Sequence, residues 1–207
     1  MRKSILVFMA LGLAACGASL EDATPDTAAE ASVPVSDLLD SAYVLTMSEA
    51  VLENASHPET LTVELDDRSV ITIGGRPSQT ASYGRTSGFG IQVPVEIESE
   101  ASGQRVEVAV VLKSSRAVPV DVQAAYSTNE VGNSGWQALQ AGSDWAIATF
   151  QYDVPELVNG LGDFVGLQSA TGDSFEIAAI GFDIIPVEVA VSDVDTDTGD
   201  NVPGEPN

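Results

Sequence analysis

From residue 60 onward, apolar positions recur with a period of two, the spacing of strands with one buried face. Leu61, Val63 and Leu65 alternate with polar neighbours over residues 60–65. Asp66-Asp67 then signals a turn, and the β-branched run at 70–73 reads as the next strand before Gly74-Gly75-Arg76-Pro77 breaks it. Residues 87–98 carry Phe89, Ile91, Val93, Val95 and Ile97 in alternation, with Pro94 predicting an edge position or a bulge. Ser102-Gly103 turns the chain into residues 104–113, where Val106, Val108, Val110 and Leu112 form one face. Residues 118–127 repeat the pattern with Val120, Val122, Ala124 and Tyr126. The stretch 121–155 reads as strand, turn, short strand, turn, strand. A turn at Asn159-Gly160-Leu161-Gly162, a short strand at 163–168 and a turn at 170–174 lead to a long final strand at 175–189. The alternation slips by one residue at Ala178-Ala179, which predicts a β-bulge there. Upstream, residues 43–47 read as a first strand, and the rest of 37–56 fits either a strand or a short helix.

Eight to ten short strands, glycine-rich turns and no amphipathic helix of length predict an all-β fold. Strict alternation gives each strand a buried and a wetted face, as a two-sheet jelly-roll β-sandwich requires. This domain is assigned to residues 41–189. Residues 16–40 contain mostly Ala, Thr, Ser, Pro and acidic residues. Such a segment buries too little apolar surface to offset the entropy of ordering and reads as a flexible spacer. The acidic, low-complexity residues 190–207 read as a disordered tail.

Residues 1–15 stand apart. Arg2 and Lys3 precede an apolar run at 4–13, too short to span a bilayer as a stable helix, and the run ends in Leu13-Ala14-Ala15-Cys16. This leader resembles the lipobox signal peptide of bacterial lipoproteins. The resemblance implies cleavage before Cys16, a diacylglycerol on its sulfur and an acyl chain such as palmitate on its new amino group. An ordinary secretory signal with a chance cysteine is the alternative. One acyl chain binds a membrane reversibly, whereas several chains make release very slow, so a tether at Cys16 needs no spanning helix. No aspartate follows Cys16; Gly17 and Ala18 do. In lipoproteins of this type that favours the outer membrane of a Gram-negative cell. Cys16 is the single cysteine, which excludes a disulfide within one chain.

Charge narrows the partners. The chain has 31 acidic and 8 basic residues, a formal net charge of −23. Loss of Arg2 and Lys3 would make it −25 (−23 − 2). The excess is not confined to the tails: residues 43–186 hold 19 Asp and Glu against 6 Lys and Arg, a net −13. Such a surface repels nucleic acid and anionic headgroups and favours solubility.

Residues 87–186 resemble the jelly-roll domains of the galactose-binding-like and carbohydrate-binding-module class. The matching features are Gly88-Phe89-Gly90, Gly103 before a valine-alternating strand, Tyr126-Ser127 and Gly135-Trp136. They continue with Trp145 opening a strand that closes on Tyr152-Asp153-Val154-Pro155, and with a final strand at Phe175-Glu176-Ile177. The resemblance implies a non-catalytic domain with a glycan ligand, although many domains of this architecture have none. It also implies that a structural calcium between strand ends is possible, with no residue here assignable to it.

A sugar presents apolar C–H faces beside hydroxyls, so its site needs an aromatic platform with amides nearby. Residues 121–155 contain both tryptophans of the chain, Trp136 and Trp145, and two of its four tyrosines. The candidate ligand-binding set is Trp136, Trp145, Tyr126, Asn129, Asn133 and Gln123. Gln137 lies nearby, and Tyr83 and Arg85 stand in the loop before Phe89. Parity argues against part of this set: Tyr126 continues the face of Val120 and Val122, while Asn129 and Asn133 are typical turn residues. Trp136, after the Gly132-Asn133-Ser134-Gly135 turn, has the strongest claim to exposure. The alternative function is a structural or protein-interaction lipoprotein that uses its acidic sandwich for docking.

Catalysis lacks support. His57, the single histidine, sits in a loop before proline with no nucleophile motif around it. No carboxylate pair stands out as a glycosidase acid and its partner. Asp193, Asp195, Asp197 and Gly199 suggest a calcium loop, but the positions that require glycine and glutamate hold Thr198 and Gly204. No cofactor is called for.

Overall fold

The computed structural model describes residues 34–38, 40–77, 88–157 and 160–187. The leader, Cys16, the spacer up to residue 33, Tyr83, Arg85 and the tail at 190–207 lie outside the described residues. The elements in chain order are β1 (Tyr43–Thr46), α1 (Glu49–Asn54), β2 (Leu61–Leu65), β3 (Ile71–Gly75), β4 (Phe89–Gln92) and α2 (Val95–Ala101). There follow β5 (Arg105–Ser114), β6 (Val120–Ser127), β7 (Gln137–Ala141), β8 (Ala146–Asp153), β9 (Phe164–Ser169) and β10 (Phe175–Ile185).

The strands form two antiparallel sheets. The first runs β2-β3-β10-β5-β8, and β1 pairs with β10 beyond the stretch that β3 occupies. The second runs β4-β9-β6-β7. The alternation explains the packing. Val106, Val108, Val110 and Leu112 of β5 point inward and are fully buried. They meet Val122, Ala124 and Tyr126 of β6 and Val165 and Leu167 of β9 in one core. Each large apolar side chain buried this way contributes about 1.5–3 kcal/mol. The bulge falls where the alternation slips: β10 pairs with β5 in one register through Ile177 and in a shifted one from Ala179. The extra residue moves the inward set from Phe175 and Ile177 to Ile180 and Phe182.

Two sequence expectations change and one open reading is resolved. Residues 87–98 are not one strand. β4 ends at Gln92, and after Pro94 the chain turns into α2, which buries Ile97 and Ala101 four residues apart. Proline at the helix start and the acidic Glu96 and Glu98 in the first turn, facing the positive end of the helix dipole, favour this over a continued strand. Residues 37–56 contain both open alternatives: β1, then α1, started by Ser48, whose Oγ accepts from Val51 N at 3.3 Å. Ordered packing also begins before residue 41. Pro34–Leu38 forms a 3₁₀ turn, and Leu38, 3% exposed, joins Ala109, Val111 and Ala179 in a small cluster on the outer face of the first sheet. Val35 and Leu38 are apolar residues in a polar segment, and that cluster is where they bury.

Candidate functional site

The outer face of the second sheet follows from its registers. Gln92 of β4 pairs with Phe164 of β9, and Gly90 pairs with Gly166, which pairs in turn with Ala125 of β6. Gln168 pairs with Gln123, and Gln123 with Ala138 of β7; Asp121 pairs with Gln140. The neighbours of these residues along each strand point into the core, so they share the outer face by parity. Same-face rows lie about 7 Å apart, so the four rows span about 20 Å. The strand positions of this face carry no Lys or Arg and one carboxylate, Asp121. In a chain of net charge −23, it is an amide surface.

Trp136 belongs to this face. Gln137 pairs with Ala124, an inward position, so Trp136 beside it points outward. Its Cη2 lies 3.2 Å from where a Cβ on Gly88 would sit, so the indole reaches toward the strand at the far edge of the sheet. Trp136 is half-buried. Its Nε1 is shut off from solvent and has no hydrogen-bond partner among the described residues. Two neighbouring amides are organised: Gln168 Nε2 donates to Gln123 Oε1 at 2.9 Å, with Gln168 almost fully buried and Gln123 half-exposed.

The other candidates separate. Tyr126 is 0% exposed, so it is corrected from ligand platform to core residue. Its ring packs 5.8 Å from that of Tyr152, and its hydroxyl donates to Asp163 Oδ2 at 2.5 Å. Trp145 lies on the opposite side of the sandwich. It precedes β8, on the outer face of the first sheet beside Ile147 and Val111, and Lys113 Nζ sits 5.0 Å from its ring centroid. With a two-sheet core about 10 Å thick between them, Trp136 and Trp145 cannot touch one ligand. Asn133 Oδ1 accepts from Gly135 N at 2.8 Å. Asn129, at φ +54°, donates through Nδ2 to Leu161 O at 3.3 Å. Both are turn-forming residues, and of the six candidates Trp136 and Gln123 share the face. Phe164, Gln92 and Gln168 complete it and were missed. Their one signal was parity along residues 163–168, and it becomes a surface only once β9 is known to lie between β4 and β6.

Beneath the loop end of this sheet lies a buried acidic group. Asp163 is 0% exposed and Glu98 7%. Glu98 Oε1 accepts from Gly162 N at 3.1 Å, while Asp163 Oδ1 has no partner among the described residues. Burial pushes the Asp163 carboxyl up to about 6; the negative charges of Glu98 and Glu130 add to the rise, and the Tyr126 hydrogen bond opposes it. Burial, then the Asp163 charge, raise both Tyr126 and Tyr152 above the ordinary tyrosine range. The group ties the 160–163 loop to β6 and α2. His57 is exposed beside the Pro58 carbonyl. Among the described residues, no three His, Cys, Asp or Glu side chains are grouped to hold a metal ion.

No protein-family model matches this chain, and no curated protein sequence does. Solved structures do. The N-terminal CBM22-1-CBM22-2 tandem domain of Xyn10C from Paenibacillus barcinonensis aligns at 13% identity and a TM-score of 0.50, over 77% of this chain and 48% of that one. This chain therefore spans about half the tandem's length. The CBM22-1 xylan-binding domain of the same protein aligns at 13% identity and a TM-score of 0.49, over 77% and 99%. The carbohydrate-binding module CBM6cm-2 of Cellvibrio mixtus lichenase 5A, in complex with cellotriose, gives 14%, a TM-score of 0.40, and 69% and 97%. At such identities the likeness is one of fold: the chain is a jelly-roll β-sandwich of the kind found in carbohydrate-binding modules.

Proposed function

We propose that this protein binds a neutral glycan on the outer face of the second sheet, without catalysis, at the cell envelope. The observation that carries the reading is the composition of that face. Trp136 and Phe164 offer apolar surface for sugar C–H groups. Gln92 and Gln123 offer amides that both donate and accept toward hydroxyls, and the almost fully buried Gln168 holds the Gln123 amide in place. The absence of Lys and Arg from its strand positions argues against an anionic ligand, as does the chain's net charge of −23. The fold shared with the CBM22-1-CBM22-2 tandem domain supports the same reading.

Tethering by acyl chains on Cys16, in the outer membrane of a Gram-negative cell, is part of the proposal and rests on the Leu13-Ala14-Ala15-Cys16 leader. The spacer would then hold the sandwich away from the lipid surface.

Titration with a panel of neutral xylo-, cello- and β-glucan oligosaccharides, read by tryptophan fluorescence and calorimetry, tests the reading. At least one ligand should bind. Trp136→Ala should abolish that binding, and Trp145→Ala, on the other side of the sandwich, should leave it intact. A flat response from the folded protein across the panel refutes the glycan reading. Binding lost on Trp145→Ala and kept on Trp136→Ala refutes the choice of face.

A further inference from the structure

The sandwich has an edge without a guard. Natural sheets block their outermost strands with charges, prolines, bulges or short length, because unpaired N–H and C=O groups invite another strand. Most outer strands here follow the rule: β1 and β4 have four residues each, β7 has five, and β2 has five with Glu64 at an exposed position. β8 does not. It runs eight residues, Ala146–Asp153, and pairs with β5 without a register shift from Arg105↔Asp153 to Leu112↔Ala146. It contains no proline, and no charged residue lies between Asp144 and Asp153. Among the described residues no strand covers its other side, and Ala146, Thr149, Gln151 and Asp153 are exposed.

We propose that β8 pairs antiparallel with β8 of a second copy of this chain, about a two-fold axis at Thr149. Charge selects the partner. Two chains of net −23 repel over most of their surface, and the stretch from Trp145 to Tyr152 is a strand edge along which two copies can meet without opposing like charges. The ends complement each other. With Thr149 opposite itself, residue 145 of each copy faces residue 153 of the other on the outer face of the first sheet. Lys113, seated over Trp145, is brought beside the second copy's Asp153, and Arg105, paired with Asp153, beside the second copy's Trp145. The axis makes each contact twice, as an isologous interface requires. Joined this way, two six-stranded sheets become one. Both outer faces of the four-stranded sheets remain open, so the dimer is bivalent for any ligand bound there.

The test uses the full chain in non-ionic detergent. Residues directly opposite in antiparallel strands have Cα atoms about 4.5–5.5 Å apart, within disulfide reach. In a Cys16→Ser background, Thr149→Cys should therefore oxidise to a covalent dimer on a non-reducing gel. Ser143→Cys, in the turn outside the pairing, should stay monomeric. Sedimentation of the wild-type chain at about 100 µM, where a micromolar contact is populated, should give about twice the protein mass. Thr149→Lys, which sets like charges at the axis, should halve that mass with an unchanged circular dichroism spectrum. A monomeric wild-type chain, a dimer that survives Thr149→Lys, or equal cross-linking of the Ser143→Cys and Thr149→Cys variants would each overturn the proposal.

Discussion

Replacing Asp163 by asparagine should remove a pH dependence that the fold builds in. Asp163 is fully buried and keeps one strong hydrogen bond, from Tyr126 at 2.5 Å; its other oxygen has no partner among the described residues. Burial favours its neutral form and raises it from 3.8 to about 6. The sign follows from linkage. Between those values the folded chain holds the proton more tightly than the unfolded one, so this group's contribution to stability is greatest in acid and is lost as pH rises through about 6. The two values differ by roughly 2 units, and at pH 4 the unfolded carboxyl is already more than half ionised, so at 1.36 kcal/mol per unit the folded state is about 2–2.5 kcal/mol less stable at neutral pH than at pH 4 on this account. Asparagine cannot titrate, and its carbonyl still accepts from Tyr126. The gap in unfolding free energy between Asp163→Asn and the wild type should therefore shift by about 2–2.5 kcal/mol toward the variant from pH 4 to pH 7.5. The offset at any one pH also includes the cost of burying the new amide N–H groups. The many other carboxylates are common to both chains and cancel in the difference. Urea unfolding at several pH values, followed by tryptophan fluorescence with equal m-values required, measures it. A gap constant to within about 0.5 kcal/mol over that range would show that Asp163 ionises as freely folded as unfolded, and would refute the argument.

Gly88→Ala should destabilise the fold by about 1–3 kcal/mol and alter tryptophan emission. Its new Cβ would sit 2.9 Å from Leu167 O, a backbone atom that cannot yield, and 3.2 Å from the Trp136 ring. Wild-type stability and emission would contradict this. Ile97→Ala should cost about 2–5 kcal/mol in urea unfolding, because Ile97 is 3% exposed and anchors α2 to the core; a cost near zero would mean that α2 is not packed as described. Cys16→Ala should leave the protein unprocessed or release it from membranes in a fractionation assay, and unchanged mature, membrane-bound protein would sink the lipid-anchor proposal.

Most of the strands were legible because their determinants are local. Val106, Val108, Val110 and Leu112 fix the buried face of β5 by alternation alone, and the slip at Ala178 marks a bulge because a period of two cannot absorb an odd residue. Alternation misled at residues 93–97. There Val93, Val95 and Ile97 fit a strand, but Ile97 and Ala101 also fit one side of a helix, and Pro94 decided for the helix. Val95, the residue that the strand reading would bury with its neighbours, is 65% exposed.

The site was less legible than the fold, for a different reason. Clustering the aromatic residues of 121–155 by proximity in sequence joined side chains that the sandwich distributes to three places. Tyr126 goes to the core, Trp136 to one outer face and Trp145 to the other. Parity within β6 already assigned Tyr126 inward, since a strand's own period decides that. No local pattern could assign the tryptophans to different sheets, because that depends on β7 pairing with β6 and β8 with β5. Nor could it bring Phe164 and Gln168 beside Gln123, a contact across 45 positions made by β9 entering between β4 and β6. A binding face on a β-sandwich is a property of strand order, and strand order is the non-local part of the fold. The acidic group at Asp163 has the same origin. Glu98, Tyr126, Tyr152 and Asp163 are scattered through 66 positions of mostly alternating sequence, and their meeting places a carboxyl where burial, not proximity to any motif, sets its chemistry.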